Sequence, residues 1–470
     1  MNFAISSHIF FYVFIILVAG IGLYFSFRME GESISYFWAY KSKKGISVGF
    51  SFILLIIFYS LIILFPDLSS EPFSLTLTVA LIAAIVLPAV FGHSVFSSIA
   101  ALFQKCNGMC SLLLSLHGLL FLCLVQVLLL LHVTDFVVQR YVGESSFSLL
   151  VSLIVIAGIY TIIGGLRAVL YINNIVTVLI MASIAFISFN VLFPTIQVFF
   201  SFKDTFQLGH DIFRSNGLFE SNSLFLLLGF MIMIFWLLWM EFGEMQRKIS
   251  VRSELSLSNG VKLAAIVAPI ILVIVLLTSN ASSLQPDSQQ GGPGNILNDF
   301  IGISFLAGLM GLFAVTYQSA GSIMALRLFP FFQTKKNDEE QILVGRLTIV
   351  VVVLLTIFLI PFAKISGDSI LMWFINFLAF FVTPIVASFI VFALYKKGRH
   401  AGFISGVLLG ETYAVVEYVF HTGILHNVFF TSSSSFAFCV DIFFVTIVVS
   451  ILTTKAFELR FIQRNFPHSA

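Results

Sequence analysis

The feature that most constrains this chain is a series of apolar runs, each close to the ~20 residues that a helix needs to cross a bilayer. The runs begin near residues 8, 47, 76, 110, 146, 171, 222, 260, 299, 346, 369, 401 and 434, which predicts thirteen membrane helices. A closed barrel also satisfies its backbone in lipid, but it shows short alternating segments rather than runs such as Leu347 to Phe362. Composition agrees. Of 470 residues, 59% are apolar and 10% charged, where a soluble domain is about half apolar and a quarter charged. The expected fold class is an all-α polytopic membrane protein.

The placement of basic residues orients the helices. With the N-terminus outside, the inside connections carry twenty of the 24 Lys and Arg residues, leaving Arg140, Lys203, Arg214 and Lys364 outside. This puts the C-terminus inside. The first run, His8 to Phe27, is expected to be a retained span rather than a signal peptide, because no basic residue precedes it and no small-residue cleavage site follows. Connections are short, and no soluble domain is expected after Thr453. Asn280-Ala281-Ser282 fits a glycosylation sequon on an outside loop. With no organelle-targeting segment visible, a bacterial cytoplasmic membrane is expected. The net charge of +2 comes with no basic face, so nucleic acid is not an expected partner; the lipid bilayer is. No signal of oligomeric state is present.

Two catalytic signatures are missing: there is no H-E-x-x-H and no phosphate-binding glycine loop with its lysine. Cys106 and Cys110 lack a second pair to complete a zinc site and read as incidental thiols. His93, His117 and His132 stand without motif spacing and read as packed or interfacial histidines. The chain is therefore expected not to be an enzyme and to carry no cofactor. Polar residues within the spans are costly unless bonded to a neighbouring helix or used on a pathway. They are Gln126, Asn173, Asn174, Asn190, Gln318, Asn376, Glu411, Glu417 and Asp441. Glu241, close to Arg247, reads as an interfacial charge.

Five segments then converge. They are Gly158-Ile-Tyr-Thr-Ile-Ile-Gly-Gly-Leu-Arg-Ala-Val169, Ser35-Tyr-Phe-Trp-Ala-Tyr-Lys41, Gln246-Arg247, Thr383-Pro384 through Gly406, and Ala307-Gly-Leu-Met-Gly through Ser322. Paired glycines such as Gly164-Gly165 permit a tight turn and close backbone approach. In order and spacing these segments resemble the sodium–solute symporter family, which includes sugar, proline and pantothenate symporters.

The resemblance implies a leucine-transporter-type core of two inverted five-helix repeats, residues 47–193 and 222–395. A first helix and inside link (1–46) precede them, and two peripheral helices with a short inside tail (401–470) follow. Five is odd, so the second repeat enters from the opposite side, as the basic residues require independently. The implied activity is secondary active import of a small polar solute by alternating access, coupled to sodium. A sodium-independent or proton-coupled carrier is an alternative, and so is a non-transporting receptor-like or regulatory protein on the same fold. The first helix of each repeat, Ser47 to Phe65 and Asn222 to Gly243, is expected to break near the midplane.

The family's shared cation site uses backbone oxygens of helix two and two adjacent hydroxyl residues of helix nine, which align with Val315 and Thr316. Thr316 and Ser319 are the candidate ligands for Na+ or another monovalent cation. The family's T-D-x-x-Q reads Ile172-Asn173-Asn174-Ile175-Val176, so Asn173 replaces its acid, and bulky Leu54, Leu55 and Ile56 occupy helix two. Candidate solute contacts are Tyr59, Ser60, Gln126, Trp236, Trp239, Gln318 and Asn376.

Overall fold

The computed structural model describes residues 36–37, 45–61, 108–142, 147–199, 221–236, 254–283, 296–332, 337–365, 369–395, 399–420 and 435–465, and isolated positions within 13–24 and 82–86. The predicted first and third helices fall mostly outside the described residues. Among the described residues all regular structure is helical.

In chain order, α1 is Gly45–Leu61. α2 (Met109–Leu120) passes through a π-helical turn, Phe121–Gln126, into α3 (Val127–Val142). α4 is Phe147–Phe199, α5 Ser221–Phe235 and α6 Glu254–Ser283. α7 (Ile296–Ile323) continues through a second π-helical turn, Met324–Leu328, into α8 (Phe329–Phe332). α9 is Asp338–Ile365, α10 Ser369–Leu394, α11 Arg399–Phe420 and α12 Ser435–Asn465. These starts lie close to those the apolar runs predict.

Two local outcomes differ from the sequence expectation. The predicted fifth and sixth helices, together α4, are two helices that meet at a kink where Gly165 adopts the non-helical φ 55° and ψ −159°, with no longer connection between them. Only glycine is at ease there, so the paired-glycine motif marks the bend correctly, and the chain resumes its helix sooner than expected. α1 is helical from Gly45 to Leu61 without interruption, so the expected break in the first repeat is not found within these residues. The matching region of the second repeat beyond Trp236 lies outside the described residues.

α7 is the central helix. Of its span 94% is buried, against 28% for α9. The exposed side of α9 is a continuous apolar stripe, including Leu343, Leu347, Val351, Leu354 and Phe358. An exposed apolar face of that length suits lipid rather than water. Five helical spans among the described residues are long and apolar enough to cross a membrane. The core lies where α7 packs against α3, α4 and α9, and where α1 packs against α4 and α6. Small residues allow these approaches: a Cβ on Gly49 would stand 2.7 Å from the Gly260 carbonyl, and one on Gly321 2.9 Å from the Gly345 carbonyl.

Candidate functional site

The richest buried polar cluster lies where α1, the second half of α4 and α7 meet. Gly308 and Gly311, one turn apart on α7, leave room for α4 and α1: a Cβ at Gly308 would strike Ile180, and one at Gly311 would strike the Asn173 carboxamide. Leu54 of α1 lies against both glycines. Thr177 Oγ1 donates to the Phe50 carbonyl of α1 at 3.2 Å and to the Asn173 carbonyl at 2.6 Å. Asn174 accepts from Ser47 Oγ at 2.9 Å, while its amide donates to the Ser47 and Leu170 carbonyls. The pairs Ser47–Asn174 and Phe50–Thr177 advance together, so α1 and this half of α4 run parallel. The pairs Gly311–Asn173 and Gly308–Ile180 advance oppositely, so α7 runs antiparallel to them. Second, sixth and ninth helices in an alternating series have these relative directions.

Asn173 stands out chemically. Its side chain is fully buried, and neither Oδ1 nor Nδ2 has a hydrogen-bond partner. An unpaired buried amide costs about 1–3 kcal/mol per group. Ser51 Oγ, next to Phe50 on α1, is also buried and unpaired.

The two candidate cation ligands sit on α7, both buried. Thr316 Oγ1 donates to the Leu312 carbonyl at 3.0 Å and Ser319 Oγ to the Val315 carbonyl at 2.8 Å. Each hydroxyl spends its hydrogen on its own helix and keeps its oxygen lone pairs. Both lie beyond Gly311 on α7, Thr316 by five residues and Ser319 by eight, so Ser319 stands about 12 Å further along the helix axis than Gly311.

Solute candidates divide. Gln126 closes the first π-helical turn with its Oε1 buried and unpaired, and Trp236 is buried with Nε1 unpaired. Phe121, at the other end of the same turn, meets the Trp236 ring edge-on at 6.3 Å. The structure thus brings these two segments together; π turns recur at functional sites. Gln318 stands elsewhere: its Nε2 donates to the Tyr36 carbonyl at 3.2 Å, and its Oε1 is unpaired. Tyr59, Ser60 and Asn376 lie on described helices, but their side chains lie outside the described residues, as do Trp239 and Glu241 entirely. Sequence reasoning singled out Asn173 as a departure from a motif but did not place it opposite Gly311, and it passed over Ser51 and Thr177. A polar stripe of Ser47 and Ser51 along α1 was the available signal.

Comparison with known proteins finds transporters that are similar to this chain. Residues 293–410 match the sodium:solute symporter family. Sodium/myo-inositol cotransporter 2 of Mus musculus is 23% identical over 334 residues, covering 60% of this chain and 50% of that protein. Sodium/glucose cotransporter 1 of Mus musculus is 22% identical over 327 residues, covering 58% and 49%. The chain spans about half the length of the curated relatives it matches. A solved Na+-coupled sialic acid symporter, in a substrate-bound outward-open state, superposes with a TM-score of 0.73 at 16% identity, covering 96% of this chain and 97% of that one. The fold is that of leucine-transporter-type carriers. The family match spans about a quarter of the chain, and the relatives named here are cotransporters.

Proposed function

We propose that this protein is a sodium-coupled secondary symporter that imports a small polar solute by alternating access. The observation that carries the reading is the fully buried, unpaired Asn173 carboxamide at the meeting of α1, α4 and α7. A folded protein keeps such a costly group where a ligand repays it. Sodium prefers several hard oxygen ligands, and Asn173, Ser51 and Thr177 offer neutral oxygens at this meeting point, with Thr316 and Ser319 assigned as further hydroxyl ligands along α7. Gln126, and Trp236 beside Phe121 of the same π turn, are assigned to the solute side, with Tyr59, Ser60, Trp239, Gln318 and Asn376. Residues 47–193 and 222–395 are the inverted halves, preceded by the helix and link of 1–46 and followed by the peripheral helices of 401–470. The N-terminus faces outside and the C-terminus inside, in a bacterial cytoplasmic membrane.

The test is uptake of labelled sugars, polyols, amino acids and carboxylates into proteoliposomes, under a sodium or a potassium gradient. Uptake of at least one solute should rise at least tenfold with sodium. Asn173→Ala should abolish that sodium dependence while leaving the unfolding temperature unchanged or higher, because the variant removes two unsatisfied groups. Sodium-independent uptake, or an Asn173→Ala protein that transports normally and is merely less stable, would sink the proposal.

A further inference from the structure

His117, within the α2 span, and Glu411, in α11, are 294 residues apart in sequence and play no part in the transport reading. Nδ1 of His117 lies 2.8 Å from the Leu113 carbonyl, one turn back in α2. A carbonyl only accepts, so Nδ1 carries a hydrogen. Nε2 faces Glu411 Oε1 within bonding distance. Were the imidazole neutral and the carboxyl ionised, a lone pair would face an anion in a low-dielectric layer, and the contact would repel. One more hydrogen must therefore lie between Nε2 and Oε1. The pair is either an imidazolium with a carboxylate or an imidazole with a carboxylic acid, and both forms hold that one proton.

The surroundings isolate it. The Phe381 ring of α10 lies over the imidazole at 4.8 Å, tilted by 30°, and Gly118, the next residue, packs on Ile323 of α7. The His117 side chain is 10% exposed and that of Glu411 25% exposed, so the carboxyl is the more open end. Other ionisable groups on neighbouring elements are Arg327, His400, His132 and Asp441, which is buried on α12 beside α11. Arg327, in the turn after α7, donates to Ser111 Oγ at 3.3 Å, six residues before His117. His400, eleven residues before Glu411, lies edge-on to Phe392 at 5.2 Å, and its carbonyl accepts from Cys110 Sγ at 3.5 Å. His132 stands on α3, fifteen residues beyond His117.

We propose that His117 and Glu411 form an intramembrane proton-binding site that fastens the peripheral helix α11 to the core helix α2. On release, the N–H···O bond breaks and the proton passes to the solvent. An imidazole lone pair is then left facing a carboxylate, and the two helices are left with the weaker thiol contact from Cys110 to the His400 carbonyl. The sign follows: the stabilisation is present at low pH and lost as pH rises through the pair's release of the proton.

The experiment reads stability, not uptake, so it stands or falls independently of symport. The unfolding temperature of the full chain in lipid nanodiscs is measured from about pH 6 to about pH 9, spanning and exceeding the ordinary histidine range. Wild type should fall by about 3 °C relative to Glu411→Gln across that interval, because the glutamine amide donates to Nε2 with no proton to lose. Parallel profiles for the two proteins would overturn the proposal. A second measurement avoids dependence on the variant's folding. In 15N-histidine-labelled wild type, with the His117 resonances assigned by their loss in His117→Gln, at about pH 6 Nδ1 should report an N–H and Nε2 either an N–H or a lone pair accepting a hydrogen bond. An Nε2 lone pair with no hydrogen bond there overturns the site just as decisively.

Discussion

At the residue scale the backbone at Gly165 illustrates how a sequence signal becomes a constraint. Its φ of 55° with ψ −159° lies in a region costing other residues about 1–3 kcal/mol. A Cβ there would also stand 2.6 Å from the Tyr36 carbonyl. Gly165→Ala is therefore expected to destabilise the protein by about 2 kcal/mol or more, read as a lowered unfolding temperature in detergent. Gly20→Ala is the control, since nothing lies within 4 Å of its added Cβ; equal losses for the two variants would contradict the assignment. The paired glycines were legible in the sequence because the constraint is local. The partner that makes Gly165 indispensable, Tyr36, was not, because it arrives from a segment well over a hundred residues earlier.

At the scale of elements, α11 and α12 show packing by small residues. Gly402, Gly406 and Gly410 recur every fourth residue along α11 and meet Thr454, Ser450 and Thr446 of α12 in that order. The numbering falls on one helix as it rises on the other, so the two are antiparallel. Ser450 Oγ donates to the Gly402 carbonyl at 2.9 Å and to Ser388 Oγ of α10 at 3.3 Å, which ties three helices at one level. In lipid, close backbone approach and hydroxyl bonds replace the hydrophobic drive between helices. A branched side chain at Gly406 would meet both Ser450 and Ser388. Gly406→Leu should cost about 3 kcal/mol and lower the unfolding temperature, with Gly406→Ala intermediate. A Gly406→Leu protein as stable as wild type would show that α11 and α12 do not pack through this stripe. The existence of both helices was legible from their apolar runs, and the resemblance placed them outside the repeats. Which faces meet was not, since every face of an apolar helix looks equally burial-prone until its neighbour is known.

At the scale of the whole molecule, the link before α1 binds three core helices together. Tyr36 donates through its hydroxyl to the Ile162 carbonyl of α4 at 2.8 Å, accepts at its own carbonyl from Gln318 of α7, and lies under the Arg346 guanidinium of α9 at 5.3 Å. Phe37 packs beside it against Gly345 of α9. Burial pushes the Tyr36 phenol up to about 12 from its ordinary value of 10.0, with the Arg346 charge opposing the shift. A folded value above the unfolded one favours the neutral phenol. Its stabilisation is therefore complete below about pH 10 and disappears between about pH 10 and pH 12, amounting to about 2–3 kcal/mol. Tyr36→Phe should lack this alkaline loss, and it should start about 1 kcal/mol lower at neutral pH for want of the bond to Ile162. Unfolding temperature against pH for the two proteins checks this; identical alkaline limbs would refute it.

Sequence alone determined that the chain is helical, that it crosses a membrane many times, and where nearly every described helix begins. Those properties follow from run length and local turn chemistry, which act over a few residues. The motif comparison also pointed to the carrier fold and to Asn173 as an anomaly. Tertiary structure decided the rest. It set Asn173 against Gly311 with no hydrogen-bond partner, turned Gln318 toward the Tyr36 carbonyl, and brought Phe121, five residues before Gln126, against Trp236. It also gave Glu411, unexplained in a peripheral helix, the imidazole of His117. Each of these pairs a residue with another far along the chain. Hydrophobic periodicity is silent on such pairings, because a polar group in lipid must find some partner, and only the packing of whole helices determines which.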